Sequence, residues 1–129
     1  MRETTVNRTG WVLSALFALF MLGASVAPKL LGLPVAAQTM ADLGWPDAPL
    51  LLIGGLELLC TLLYLWPATS VLGAVLMMAI LGGAITTQLR AGSPLASHTL
   101  FGIYLGVLMW AGLWLRSPAL RRLFPFGRG

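Results

Sequence analysis

The chain has 129 residues, of which 58% are hydrophobic and only 9% are charged. A soluble domain carries roughly 25% charged residues, so the composition excludes an ordinary soluble fold and indicates an integral membrane protein. Because a membrane-spanning helix needs about 20 residues, four spans with short connections account for nearly the whole chain. The sequence therefore predicts an all-α, polytopic four-helix bundle in the membrane, as a single domain with no separate soluble unit.

The net charge of +4 comes mostly from the two ends of the chain. Lys29 and Arg90 lie in the predicted connections, and the other basic residues lie outside the apolar segments. These are Arg2, Arg8, Arg116, Arg121, Arg122 and Arg128. Basic residues mark the cytoplasmic side of membrane spans, so the pattern predicts cytoplasmic termini, interfacial arginines and a multi-pass protein of the bacterial plasma (inner) membrane. The expected partner is the lipid bilayer, not a nucleic acid.

The first apolar segment predicts a span over residues 10–27, which Pro28 ends or kinks. Residues 30–47 follow, and they are too apolar for a free solvated loop. Within them, Pro34 and the residues after it predict a short interfacial helix that stops at Gly44. The alternative is a loop that lies on the membrane surface.

The later apolar segments predict three further spans, over residues 48–66, 70–89 and 97–115. A tight turn joins the first two of these, which makes them antiparallel neighbours. The GxxxG motif from Gly102 to Gly106 permits close contact between helices and indicates a compact bundle.

Glu57 lies near the middle of the second predicted span and is the only acidic residue in the long apolar segments. A carboxylate in hydrocarbon is costly unless it is protonated, paired with a cation or open to a wet cavity. At about 1.5 Å per residue, Glu57 lies roughly 13–14 Å below the outer end of its span. Glu57 is the candidate catalytic, proton-transfer or ligand-binding group. The alternative is a structural carboxylate that fixes the order of the helices.

Polar residues that could reach Glu57 come from every span. Lys29 and Arg90, at the outer ends of the first and third spans, are both candidate charge partners. Thr61 lies one turn away on the same helical face and can hydrogen-bond Glu57. The remaining candidate ligand-binding residues are Thr86, Gln88 and His98. Together they predict a polar cavity that opens to the outer face with Glu57 at its floor.

The chain has one histidine, His98, and one cysteine, Cys60. Zinc, haem and iron–sulfur sites are held mainly by histidine and cysteine side chains, and one residue of each type is too few. We therefore expect no metal site and no covalently bound cofactor. The single cysteine also excludes a CxxC motif and an intramolecular disulfide.

Several stretches resemble the DoxX-like family of small four-helix integral membrane proteins, and the resemblance covers nearly the whole chain. In order, they are Ala27-Pro28-Lys29-Leu30, Leu43-Gly44-Trp45-Pro46, Ile53-Gly54-Gly55-Leu56-Glu57-Leu58 with Pro67, Leu72-Gly73-Ala74, and Gly82-Gly83-Ala84-Ile85-Thr86-Thr87-Gln88-Leu89-Arg90. The resemblance implies the four-helix membrane fold.

The resemblance also implies a range of functions. The wider group is named for a membrane subunit linked to quinone reduction during thiosulfate oxidation, and other relatives are associated with thiol redox balance or with assembly and trafficking of membrane proteins. We expect a membrane subunit or accessory of a redox system that binds a small lipophilic ligand, a quinone, for a redox protein partner that carries the electrons. The alternatives are a non-catalytic assembly or chaperone-like partner and a stand-alone membrane enzyme that uses Glu57 as an acid or base.

Overall fold

The computed structural model describes residues 2–125, and these are all-α, with no strand among them. Residue 1 and residues 126–129, which include Arg128, lie outside the described part of the chain. The helices are α1 (Glu3–Leu30), α2 (Pro34–Asp42), α3 (Leu50–Leu65), α4 (Ser70–Ala91), α5 (Leu95–Arg116) and α6 (Pro118–Leu123). Three of them, α1, α4 and α5, are long and apolar enough to cross a membrane, and α3 is a shorter apolar helix.

The outward surface of these four long helices is apolar. Leu19, Leu51, Val75 and Val107 are each more than half exposed on it. Exposing such an apolar surface to water is unfavourable in free energy. Exposing it to lipid is not, because lipid tails are as apolar as leucine. Together with the three helices of spanning length, this surface indicates a membrane protein in contact with the lipid bilayer.

The four long helices form a closed ring in which each helix packs along two neighbours. The first half of α1 packs along α5, its last part packs along α3, and α4 packs on both α3 and α5. Both ends of the described chain lie at one end of the ring, beside the 3-10 turn Pro67–Thr69. We call this the termini end. The connections 31–49 and 92–94 lie at the opposite, loop end.

The observed helix α1 differs most from its predicted span. It begins at Glu3, and not at residue 10, because the polar residues that follow Glu3 continue the helix. The Glu3 carboxylate lies 2.8 Å from a guanidinium nitrogen of Arg121, which ties the start of α1 to α6. Pro28 does not end α1 either. A π-helical stretch, Met21–Val26, precedes Pro28 and the helix continues to Leu30, as membrane helices accommodate the missing N–H of proline by such local adjustments.

The short helix predicted after Pro34 is confirmed as α2. Gly44 follows it with a φ of +85°, a conformation that glycine adopts without steric cost. The Trp45 N–H donates to the Met40 carbonyl at 2.8 Å and the Gly44 N–H to the Ala41 carbonyl at 3.0 Å. This is the hydrogen-bond pattern of a glycine-terminated helix. It turns the chain back toward α3.

Glycines lie where the helices approach each other most closely. A Cβ at Gly73 would collide with the backbone of Tyr64, next to the tight turn between α3 and α4. A Cβ at Gly102 would lie 2.7 Å from the Ile85 side chain on α4. One glycine of the GxxxG motif therefore serves the contact between α5 and α4 within the bundle.

Arg116 is buried at the termini end, with 8% of its surface exposed, and contacts all three other long helices. It donates from Nε to Ser14 Oγ at 2.8 Å, from Nη2 to the Tyr64 carbonyl at 2.6 Å and from Nη1 to Ser70 Oγ at 3.3 Å. Its guanidinium carbon lies 4.1 Å from the centre of the Trp11 ring. The prediction that Arg116 is an interfacial arginine is therefore wrong, because neutral acceptors and an aromatic face inside the bundle satisfy this cation.

Replacing Arg116 with lysine should lower the free energy of unfolding by about 3 kcal/mol. Lysine cannot reproduce the planar fork of donors, and hydrogen bonds from charged groups are worth about 1.5–3 kcal/mol each. Denaturation of the purified protein in detergent measures the change. The matched control is Arg122→Lys, because Arg122 is exposed on α6 and its replacement should change stability by no more than about 0.5 kcal/mol. Equal effects at the two positions would contradict this role of Arg116.

Candidate functional site

Glu57, Lys29 and Ser25 form a connected polar cluster inside the bundle. Lys29 Nζ lies 3.1 Å from Glu57 Oε1, and Ser25 Oγ donates to the two carboxylate oxygens at 3.0 and 2.9 Å. Lys29 Nζ also donates to Ser25 Oγ at 2.8 Å and to the Ser25 carbonyl at 3.2 Å. The serine hydroxyl therefore bridges the cation and the carboxylate, and Ser25 accepts two hydrogens of the ammonium group.

Local structure explains how the cluster forms. Ser25 and Lys29 are four residues apart on α1, so their side chains lie on the same face of the helix. Gly54, one turn before Glu57 on α3, lies directly opposite Lys29, and a Cβ at Gly54 would come within 2.9 Å of the Lys29 Cβ. The absence of a side chain at Gly54 thus lets α1 approach α3 closely enough for the two charges to meet.

Burial makes this a strongly coupled pair of charges. Only 7% of the Glu57 side chain and 13% of the Lys29 side chain are exposed. Glu57 lies seven residues after Leu50, which places it about 10 Å along α3 and near the middle of that helix. Removing one member of a buried pair leaves the other uncompensated, at a cost of about 3–5 kcal/mol.

The cluster forms part of the wall of a cavity of about 510 Å³ at the loop end. This volume lies within the range of roughly 300–1,000 Å³ that is typical of small-molecule sites. Most of the wall is apolar and comes from all four long helices, including Met21, Ile53, Ile80 and Leu105. Helix α2 and the turn after it cover the loop end of the cavity with Thr39, Met40, Leu43 and Trp45.

The structure brings two of the other predicted residues to this cavity. Gln88 lines it from α4 and His98 lines it from the start of α5. The Gln88 Oε1 atom is buried and has no hydrogen-bond partner among the described residues. His98 is exposed, and its Nδ1 atom lies 2.7 Å from Ser97 Oγ.

Three predicted residues lie elsewhere. Thr61 is fully buried and donates to the backbone carbonyl of Glu57 at 2.8 Å, so it serves α3 and not the carboxylate. Arg90 is exposed and lines a smaller recess with Thr86, beside the turn that follows α2. Thr86 donates to the carbonyl of Gly82, one turn earlier in α4. Of the two candidate charge partners, the structure therefore pairs Lys29 with Glu57 and leaves Arg90 outside the cavity.

Ser25 is the functional candidate that the sequence did not reveal. Its spacing of four residues from Lys29 was the available signal, because that spacing places a hydroxyl beside the ammonium group. Its reach to Glu57 depends on the close approach of α1 and α3, which no local pattern shows.

The chemistry of this site follows from its groups. The carboxylate of Glu57 can accept a hydrogen bond or a proton from a molecule in the cavity, while Lys29 stabilises its charge. Within residues 2–125, no group of three or more histidine, cysteine, aspartate and glutamate side chains is placed to hold a metal ion.

Comparison with known proteins identifies the family. The model of the DoxX-like family matches residues 12–112, which include Ser25, Lys29 and Glu57. The resemblance predicted from the sequence is therefore confirmed. No curated protein and no solved structure matches the chain.

The pairing of Lys29 with Glu57 can be tested with a double-mutant cycle. Lys29→Met and Glu57→Gln should each lower the free energy of unfolding by about 3 kcal/mol, because each leaves a buried group without its partner. The double variant should be more stable than the sum of the two changes implies, with a coupling energy of about 2 kcal/mol. Denaturation in detergent measures all four proteins.

The matched control is a second double-mutant cycle, in which Arg90, the alternative charge partner, is mutated and Lys29 is left unchanged. Arg90→Met combined with Glu57→Gln should be additive within about 0.5 kcal/mol, because Arg90 lies outside the cavity. Coupling of Glu57 to Arg90, with none to Lys29, would show that the ion pair is assigned wrongly.

Proposed function

The chain belongs to the DoxX-like family, and we propose that it binds a small lipophilic molecule in the cavity beside Glu57. The observation that carries this proposal is the buried pair of Glu57 and Lys29 in the wall of an otherwise mostly apolar cavity. An ion pair that served packing alone needs no open space beside it. Small-molecule sites combine apolar walls with a few convergent polar groups, as this cavity does.

A quinone-type ring is the ligand that we propose. A flat, substituted ring matches the apolar walls, and its oxygen atoms would lie against the polar cluster. In this proposal Glu57 exchanges a hydrogen bond or a proton with a ring oxygen, and Lys29 lies beside the carboxylate as its counter-ion. The chain then acts as a membrane subunit or accessory of a redox system, whose partner protein carries the electrons.

We further propose that all four long helices span a bacterial plasma membrane with the termini end in the cytoplasm. Arg2, Arg8 and Arg122 are exposed and belong to the two ends of the chain, which supports this orientation by the positive-inside rule. The cavity then lies toward the periplasmic side. A ligand would approach it from the outer leaflet or through the segment that contains α2.

Two adjacent glycines of α4 provide a sharp test of ligand binding. Gly83 lines the cavity and Gly82 does not, and a Cβ at either position would meet open space. Gly83→Leu should therefore fill part of the cavity, keep the fold and weaken binding of trimethylbenzoquinone or trimethylhydroquinone at least tenfold, by about 1.4 kcal/mol. Gly82→Leu should bind as the unchanged protein does. Calorimetric titration in lipid nanodiscs measures the affinities.

The outcome also separates the proposal from its alternative. Equal binding by the Gly83→Leu and Gly82→Leu variants would place the ligand outside this cavity. Failure of the unchanged protein to bind either compound would refute the proposal and favour a role in assembly of membrane proteins, in which the outer surfaces of the helices do the work.

A further inference from the structure

Some hydrogen-bonding groups around Glu57 already have a partner within the protein, and others remain open to a ligand. Lys29 has three hydrogens, of which one is donated to Ser25 Oγ and one to the Ser25 carbonyl, and its ammonium nitrogen lies 3.1 Å from Glu57 Oε1 as an ion pair. The Ser25 hydroxyl has one hydrogen and directs it to the Glu57 carboxylate. The hydroxyl hydrogen and two of the three ammonium hydrogens therefore have an acceptor inside the protein, and the ammonium group faces the carboxylate as its counter-ion.

The other hydroxyl groups of the cavity wall are also used. Thr39 donates to the Val35 carbonyl at 2.8 Å, and Thr87 donates to the Gly83 carbonyl at 2.8 Å. Thr99 donates to the carbonyl of Ser93 at 3.2 Å. These threonines bond to the backbone of their own segment, so none of them has a hydrogen to offer to a ligand in the present arrangement.

Acceptor positions remain available at Glu57 and Gln88. A carboxylate has about four lone-pair positions. Among the described residues, the Glu57 oxygens receive a hydrogen bond from Ser25 and lie beside the Lys29 ammonium group. Gln88 lines the cavity and its Oε1 atom has no partner. The terminal torsion of a glutamine side chain is soft, and rotation about it exchanges the positions of the amide oxygen and the amide nitrogen, which carries two hydrogens.

From the open acceptor positions of the Glu57 carboxylate we infer that the ligand of the cavity is a hydroxylated lipophile that donates a hydrogen bond to Glu57. A ligand group that only accepts hydrogen bonds, such as a carbonyl oxygen, could not form a hydrogen bond with the carboxylate, because neither group carries a hydrogen. A neutral hydroxyl also suits the net charge of the cluster, which Lys29 already balances. The inference rests on the proposed function and narrows the class of ligand. A quinone has no hydroxyl group, whereas its hydroquinone has two.

The test compares two ligands with the same carbon skeleton. Trimethylhydroquinone and trimethylbenzoquinone are titrated separately into the full-length protein in nanodiscs, under nitrogen. The hydroquinone should bind at least about tenfold more tightly, because an unpaired buried acceptor costs about as much as a lost hydrogen bond. Equal affinities, or tighter binding of the quinone, would overturn the inference and leave the proposed function standing. Binding of neither compound would overturn both.

A variant identifies the acceptor. In the double variant Lys29→Met with Glu57→Gln, both charges are absent and the new amide group has hydrogens of its own. This protein should lose the preference for the hydroquinone and bind the two compounds within about threefold of each other. Gly82→Leu serves as the control and should keep the full preference. A preference that persists in the double variant would show that Glu57 is not the acceptor.

Discussion

The ion pair between Lys29 and Glu57 determines how the loop half of the bundle is built. A single charge inside an apolar helix bundle is costly, and two charges are tolerated only when their geometry and their remaining hydrogen bonds are satisfied. The Ser25 hydroxyl provides the remaining hydrogen bonds. The missing side chain at Gly54 allows the geometry, because it lets α1 approach α3. The contact between these two helices and the polar wall of the cavity therefore have the same origin.

The two ends of the bundle handle buried charge in different ways. At the termini end, Arg116 is surrounded by hydroxyl and carbonyl acceptors from three other helices and lies against the Trp11 ring, so its charge is satisfied by neutral groups. At the loop end, the charges of Lys29 and Glu57 satisfy each other beside a cavity that the open backbone of Gly83 also lines. Among the described residues, only the loop end therefore combines buried charge with open space.

The sequence predicted the parts of this structure that depend on composition along the chain. Apolar segments located the four long helices, and the lone carboxylate of Glu57 marked the site. The pairing of Glu57 was not predictable, because Lys29 and Arg90 occupy equivalent positions at the ends of their helices and only helix packing distinguishes them. Arg116 was misjudged for a similar reason. A basic residue at a helix end resembles an interfacial anchor until its acceptors, distant in sequence, are brought around it.

We propose that the space beside Glu57 binds a lipophilic molecule with a hydroxyl group. The decisive experiment is a structure of the protein in lipid nanodiscs, determined with added trimethylhydroquinone. We expect ring-shaped density in the cavity, with one oxygen atom within hydrogen-bonding distance of the Glu57 carboxylate and the Lys29–Glu57 pair intact. A cavity closed by its own side chains, with no added density beside Glu57, would contradict the proposal.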